Sequence, residues 1–94
     1  MEIRAKKVRV DFKREYLKFL GSRLREARKL AELSQKEVCI RLKKSPFQLK
    51  YTQQMISRFE CGKSEIPHFY VEAIASLTSR HPSYFYSSRK LNIQ

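Results

Sequence analysis

Four polar side chains in one short stretch, Thr52, Gln53, Gln54 and Arg58, have the chemistry to read the edges of nucleobases. A glutamine amide can engage adenine N6 and N7 together, and a guanidinium can donate twice to guanine O6 and N7. Gln54 and Arg58 are four residues apart, so on a helix they share one face. Ile56 and Phe59 would face the other way and bury the helix. An ordinary solvated helix has a similar composition, so the weight falls on what surrounds these residues.

Charge is the first such feature. The chain of 94 residues holds 21 Lys and Arg against 9 Asp and Glu, a net charge of +12. That imbalance asks for a polyanionic partner, of which nucleic acid is the commonest. Residues 1–30 carry 11 basic and 4 acidic side chains, residues 31–64 carry 7 and 3, and residues 65–94 carry 3 and 2. The basic surface therefore belongs to the first two thirds of the chain. With 41% apolar and 12% aromatic residues, one packed core is within reach, and the length suits a single domain.

The elements that would position the polar stretch read as helices. Residues 1–11 are expected to form a basic arm or short strand, because Val8, Val10 and Phe12 alternate among Arg4, Lys6, Lys7 and Arg9. A first helix is expected from Phe12 to Leu30. Its apolar stripe is Leu17, Leu20, Leu24, Ala27 and Ala31, with Arg23, Arg25 and Lys29 on other faces and Gly21 a weak point. Ser34-Gln35-Lys36-Glu37 is a capping box that starts a second helix, with Val38, Cys39 and Leu42 inward. Cys39 is small where that helix must approach the next. Pro46 bars continuation much past Ser45.

Thr52 is a good N-cap for the third helix, with Tyr51 and Ile56 placed as a hydrophobic staple. Cys61-Gly62 ends it, Gly62 suiting the left-handed terminal conformation. A fourth helix is expected from Pro67, with Val71, Ile74, Ala75 and Leu77 apolar. A last one spans 82–88, where Tyr84 and Phe85 can close the core. The expected fold is an all-α bundle of about five helices containing a helix-turn-helix, divided into an arm at 1–11, the domain at 12–88 and a tail at 89–94.

Three segments carry a family resemblance. Leu33-Ser34-Gln35, then Thr52-Gln53-Gln54-Met55-Ile56, then Glu60-Cys61-Gly62-Lys63 resemble the lambdoid phage repressor and Cro family. They also resemble the POU-specific domain, which shares that fold. Ile56-Ser57-Arg58-Phe59-Glu60 is the most POU-like part, as is the long link from Leu42 to Thr52. Pro82-Ser83-Tyr84-Phe85 is closer to bacterial and phage members. The resemblance spans about Leu20 to Tyr86.

It implies sequence-specific binding of double-stranded DNA by a transcriptional regulator, with Thr52 to Glu60 as recognition helix. Gln53 would then read adenine, Gln54 and Arg58 neighbouring bases, and Arg58 a guanine. Gln35 would touch a phosphate and brace Gln53. Lys36, Lys63 and Ser64 would hold phosphates, and Arg28 would pair with Glu60. Two departures are Met55, where a small polar residue is common, and the longer linker. Met55 would touch a thymine methyl or simply pack. Lys43, Lys44 and Lys50 would add backbone contacts or remain solvated.

Other chemistries find little support. Two glycines leave no phosphate-cradling loop, and there is no carboxylate pair for acid–base catalysis, so no enzyme, cofactor or small-molecule ligand is expected. Cys39, Cys61, His68 and His81 lack metal-ligand spacing. Both thiols are expected reduced and the protein cytoplasmic, associated with the nucleoid or, in a eukaryote, nuclear. No membrane span is expected. The alternatives are an antitoxin or other protein-interaction module of the same fold, and a non-specific nucleic-acid binder. Monomer and homodimer both remain open, a dimer using the C-terminal aromatic segment or the N-terminal arm.

Overall fold

A computed structural model describes residues 2–87, with side chains described from Phe12 onward; the expected tail at 89–94 lies outside these. Five helices follow in order: α1 Glu2–Leu30, α2 Gln35–Lys44, α3 Gln53–Glu60, α4 His68–Leu77 and α5 Ser83–Tyr86. Among the described residues there is no strand. No helix is long and apolar enough to cross a membrane, again among the described residues.

The N-terminal arm or strand is the first correction. Residues 2–11 continue α1, so no structural boundary falls at Phe12. The alternation of Val8, Val10 and Phe12 is a strand spacing, and α1 forms in spite of it. The intervening Arg, Lys, Ala and Glu are strong helix formers, and no Gly or Pro interrupts before Gly21.

Helix ends follow local chemistry. Ser34 Oγ accepts from the Glu37 N–H at 3.0 Å, and the Glu37 carboxylate accepts from the Ser34 N–H at 2.8 Å, completing the capping box. Thr52 Oγ1 accepts from the Met55 N–H at 3.1 Å and opens α3. Three helices close alike, with a left-handed residue two positions past the last turn: Glu32 (φ 58°), Gly62 (φ 70°) and Ser79 (φ 56°). In each, the next amide reaches back to a carbonyl five residues earlier, as from Lys63 to Arg58 at 3.0 Å. Pro67 is the N-cap of α4 rather than its first helical residue.

The link after α2 is not slack. The Leu42 carbonyl accepts from the Ser45 N–H (3.2 Å), the Ser45 hydroxyl (2.7 Å) and the Leu49 N–H (3.0 Å), folding the loop back on α2.

The core gathers Leu20, Leu24 and Ala27 of α1, Val38 and Leu42 of α2, and Ile56 and Phe59 of α3, and α4 adds Tyr70, Val71, Ile74 and Ala75. Leu33 and Phe85 complete it. Arg23 departs from expectation: it is buried, its guanidinium lying over the Phe19 and Tyr84 rings at 5.3 and 4.7 Å and donating to the Ser87 carbonyl at 3.0 Å. A long amphipathic side chain placed where α5 closes over α1 can bury its stem and stack its plane on aromatic rings. Phe85 is fully buried and Tyr84 partly so, which leaves the aromatic segment largely committed to the core.

Candidate nucleic-acid interface

Helix α3 has two sharply different sides. Ile56, Phe59 and Glu60 are buried, at 0%, 4% and 7% exposure. Gln53, Gln54, Met55 and Arg58 are exposed, as is the Thr52 cap. Gln54 and Arg58 lie two residues either side of Ile56, about 200° around the helix, and so point away from the body. No acid occupies the first turn of α3, so the N-terminal end of its dipole is not offset by a carboxylate.

Both ends of the helix are fixed. At its start, Tyr51 packs edge-on against Phe59 and Tyr70, with ring centroids 5.7 and 5.2 Å apart. Phe59 and Tyr70 are themselves 4.8 Å apart. Burial pushes the Tyr70 phenol far above its ordinary pKa, with the nearby Glu60 charge adding to the effect. At the end of α3, Arg28 Nε and Nη2 donate to the two Glu60 oxygens at 2.7 and 3.0 Å. Arg28 Nη1 donates to the Leu33 carbonyl at 2.8 Å. The side chains of Arg28 and Glu60 are 10% and 2% exposed. The hydrogen bond to Glu60 raises the Arg28 pKa against desolvation, which lowers it.

Gln35 joins this clamp. Its amide nitrogen donates to Glu60 Oε1 at 3.0 Å. Among the described residues no hydrogen bond joins Gln35 to Gln53, so the bracing implied by the family resemblance is replaced by a tie to the end of α3. Gln35 is only half-buried and keeps part of its amide toward solvent.

Two glycines let α1 and α3 approach. A Cβ on Gly21 would sit inside contact distance of the Phe59 carbonyl and 2.9 Å from that of Glu60. A Cβ on Gly62 would lie 2.7 Å from the Lys18 Cα. Gly21, which reads as a weakness in a helix, is thus the point where α3 rests its C-terminal turn on α1.

The remaining candidate residues divide. Lys36 at the start of α2, Lys43 and Lys44 at its end, Lys50 before α3 and Lys63 after it are all exposed. Ser64 is half-buried, its hydroxyl 3.4 Å from the Glu65 carbonyl. Arg58 is exposed, but its Nη2 donates to the Lys63 carbonyl at 3.1 Å, so it folds back over the end of α3. Thr52 spends an oxygen lone pair on its cap and keeps its hydroxyl proton free to donate.

Sequence reasoning took Gly21 for a weak point, passed over Tyr70 and placed Arg23 away from the apolar stripe. Tyr70 had a signal: it lies four before Ile74 and extends the apolar stripe of α4. Cys39 and Cys61 are free thiols, and burial pushes Cys39 above its ordinary pKa. Among the described residues no group of His, Cys, Asp and Glu is arranged to hold a metal. No protein family, curated protein or solved structure matches the chain.

Proposed function

We propose that the chain binds double-stranded DNA sequence-specifically, as a transcriptional regulator of the lambdoid-repressor or POU-specific kind, with α2 and α3 acting as its helix-turn-helix. The observation that carries this reading is the two-sidedness of α3 on a chain of net charge +12. Eight residues of helix span about 12 Å, which a major groove accommodates.

In this arrangement Gln53, Gln54 and Arg58 read base edges, with Met55 against a thymine methyl. Thr52 contributes its hydroxyl proton. Lys36, Lys63, Ser64 and the free part of Gln35 hold the phosphate backbone, and Lys43, Lys44 and Lys50 add charge along it. Arg58 must release the Lys63 carbonyl to reach a guanine. That exchange costs little, because the bond is exposed to water at both ends. The buried Arg28–Glu60 pair fits a positioning role, since a desolvated ion pair adds little net stability but fixes an angle. The protein acts by binding rather than catalysis, in a compartment that holds DNA.

The test is selection of sites from random duplex DNA, followed by anisotropy titrations across salt. A consensus should emerge, and affinity should fall on the order of a thousandfold between about 50 and 200 mM salt if six or more phosphates are held. A dimer would select inverted half-sites roughly 34 Å apart, and a monomer a site without a dyad. No consensus, with a flat salt response, would sink the reading.

A further inference from the structure

A groove of about 800 Å³ runs between the loop after α2 and the outer side of α4, beside Lys43, Lys44 and Lys50, the lysines given above to the DNA backbone. Pro46, Phe47 and Leu49 form one wall, and Phe69, Ala73 and Leu77 the other, with Leu42 also lining it. Phe47 and Phe69 are 82% and 73% exposed, the two most exposed of the large apolar side chains whose exposure is described. The wall on α4 is a second apolar stripe: Phe69, Ala73 and Leu77 recur every four residues, beside the buried set of Tyr70, Val71, Ile74 and Ala75. Ala73 and Leu77 are only partly buried against the core, and Phe69 stands clear of it. The opposite wall is held in shape by the hydrogen bonds that fold the loop onto the Leu42 carbonyl, so Phe47 is displayed from a fixed support.

The groove's charges select its occupant. Among its lining residues the one carboxylate, Glu72, lies 3.1 Å from His68 Nε2, while Arg41 makes no ion pair among the described residues and has the Glu37 carboxylate one turn before it. Lys44 lies one turn beyond Arg41 on α2, and Lys43 and Lys50 are exposed on the same connection. A second copy of the chain also has a net charge of +12, so like charge disfavours it as the occupant. A preformed apolar trough with a helical stripe along one wall suits a helix laid into it by its apolar face. We propose that the groove between Phe47 and Phe69 docks an acidic amphipathic helix of a partner protein, its apolar face inward and its carboxylates toward Arg41 and Lys44. The proposal does not rest on the DNA reading, and DNA is left out of its test.

A displayed library of randomised helical peptides of about 15 residues, long enough to hold a helix, is selected on the full chain. Recovered peptides should carry apolar residues at three- and four-residue spacing and an excess of Asp and Glu. Their affinity should fall about tenfold or more in Phe47→Ser with Phe69→Ser, as expected when two central anchors are lost. Arg41→Glu should weaken them severalfold. Titration should move the amide resonances of Phe47, Leu49, Phe69, Ala73 and Leu77. Neither ring is in the core, so circular dichroism of the double variant should match the parent. Peptides without acidic excess, or ones that bind the double variant equally well, would overturn the proposal. So would a dimer in sedimentation that the double variant abolishes, which would assign the groove to a second copy.

Discussion

Arg28 holds Glu60 with two parallel N–H···O bonds of 2.7 and 3.0 Å, across 32 residues of sequence and with both side chains nearly out of solvent. The third Arg28 donor takes the Leu33 carbonyl, and Gln35 adds a further bond to Glu60. The end of α1, the turn after it, the start of α2 and the end of α3 therefore meet at one carboxylate. Breaking the pair from one side leaves a buried charge without compensation. Arg28→Met should cost about 3–5 kcal/mol, and Arg28→Met with Glu60→Leu should recover much of that. Urea denaturation of the two single variants and the double variant measures it. Losses that simply add would show two independent charges.

Gly21 is the second contact on which α3 sits. A methyl group there meets backbone carbonyls of Phe59 and Glu60 rather than a side chain able to turn away. Ala is the better helix former by up to about 1 kcal/mol, so an unconstrained α1 would gain from Gly21→Ala. Overpacking against α3 should outweigh that gain, for a net loss of about 1–3 kcal/mol. Thermal melts decide the sign, and a stabilised Gly21→Ala variant would mean that the helices can part at no cost.

Acid should weaken the start of α2 through Glu37. Its carboxylate accepts from the Ser34 backbone N–H, and this bond, helped by the Ser34 hydroxyl, holds its pKa below the ordinary value of 4.5. A carboxylate with a depressed folded-state pKa adds stability that is full above its unfolded pKa and is lost as pH falls through the folded one. Glu37→Gln keeps an acceptor for the capping box but cannot titrate. The stability difference between parent and Glu37→Gln should be constant near neutrality and shrink as pH drops below about 4.5. A difference independent of pH would remove Glu37 from acid sensitivity.

What the sequence discloses here is mostly what lies within four residues. The Ser34–Glu37 box, the Thr52 cap and the left-handed Gly62 are local patterns, and each sits where its chemistry puts it. The inward placement of Ile56 and Phe59 follows from helical period. Arg28 and Glu60, 32 residues apart, are reachable only through family resemblance. Gly21 shows the opposite limit: its use depends on a crossing with a helix some forty residues on, and nothing near it in sequence says so. Arg23 was masked by its charge, because burial of its guanidinium depends on Phe19, Tyr84 and the Ser87 carbonyl meeting around it. In the first eleven residues the alternation points to a strand, and helix propensity overrides it.

If the chain reads DNA as proposed, base reading and phosphate holding should separate in mutants, with Arg58 the residue that divides them. In the free protein its Nη2 holds the Lys63 carbonyl at 3.1 Å, a bond in water that contributes at most about 1 kcal/mol to folding. Arg58→Ala should therefore leave the melting temperature nearly unchanged. On the selected DNA site it should cost about 1–3 kcal/mol, and little on random duplex, because the lost contact is to a base. Gln54→Ala, on the same exposed face, should behave alike. Lys63→Ala should weaken all sequences similarly and flatten the salt dependence, because a phosphate contact carries no sequence information. Arg58→Lys is the sharpest member of the series. It keeps the charge but replaces a planar two-donor fork with a point charge, so specificity should fall toward that of Arg58→Ala while non-specific affinity holds. Should Arg58→Lys retain full discrimination, Arg58 touches phosphate, and the base-reading face of α3 reduces to Gln53, Gln54 and Met55.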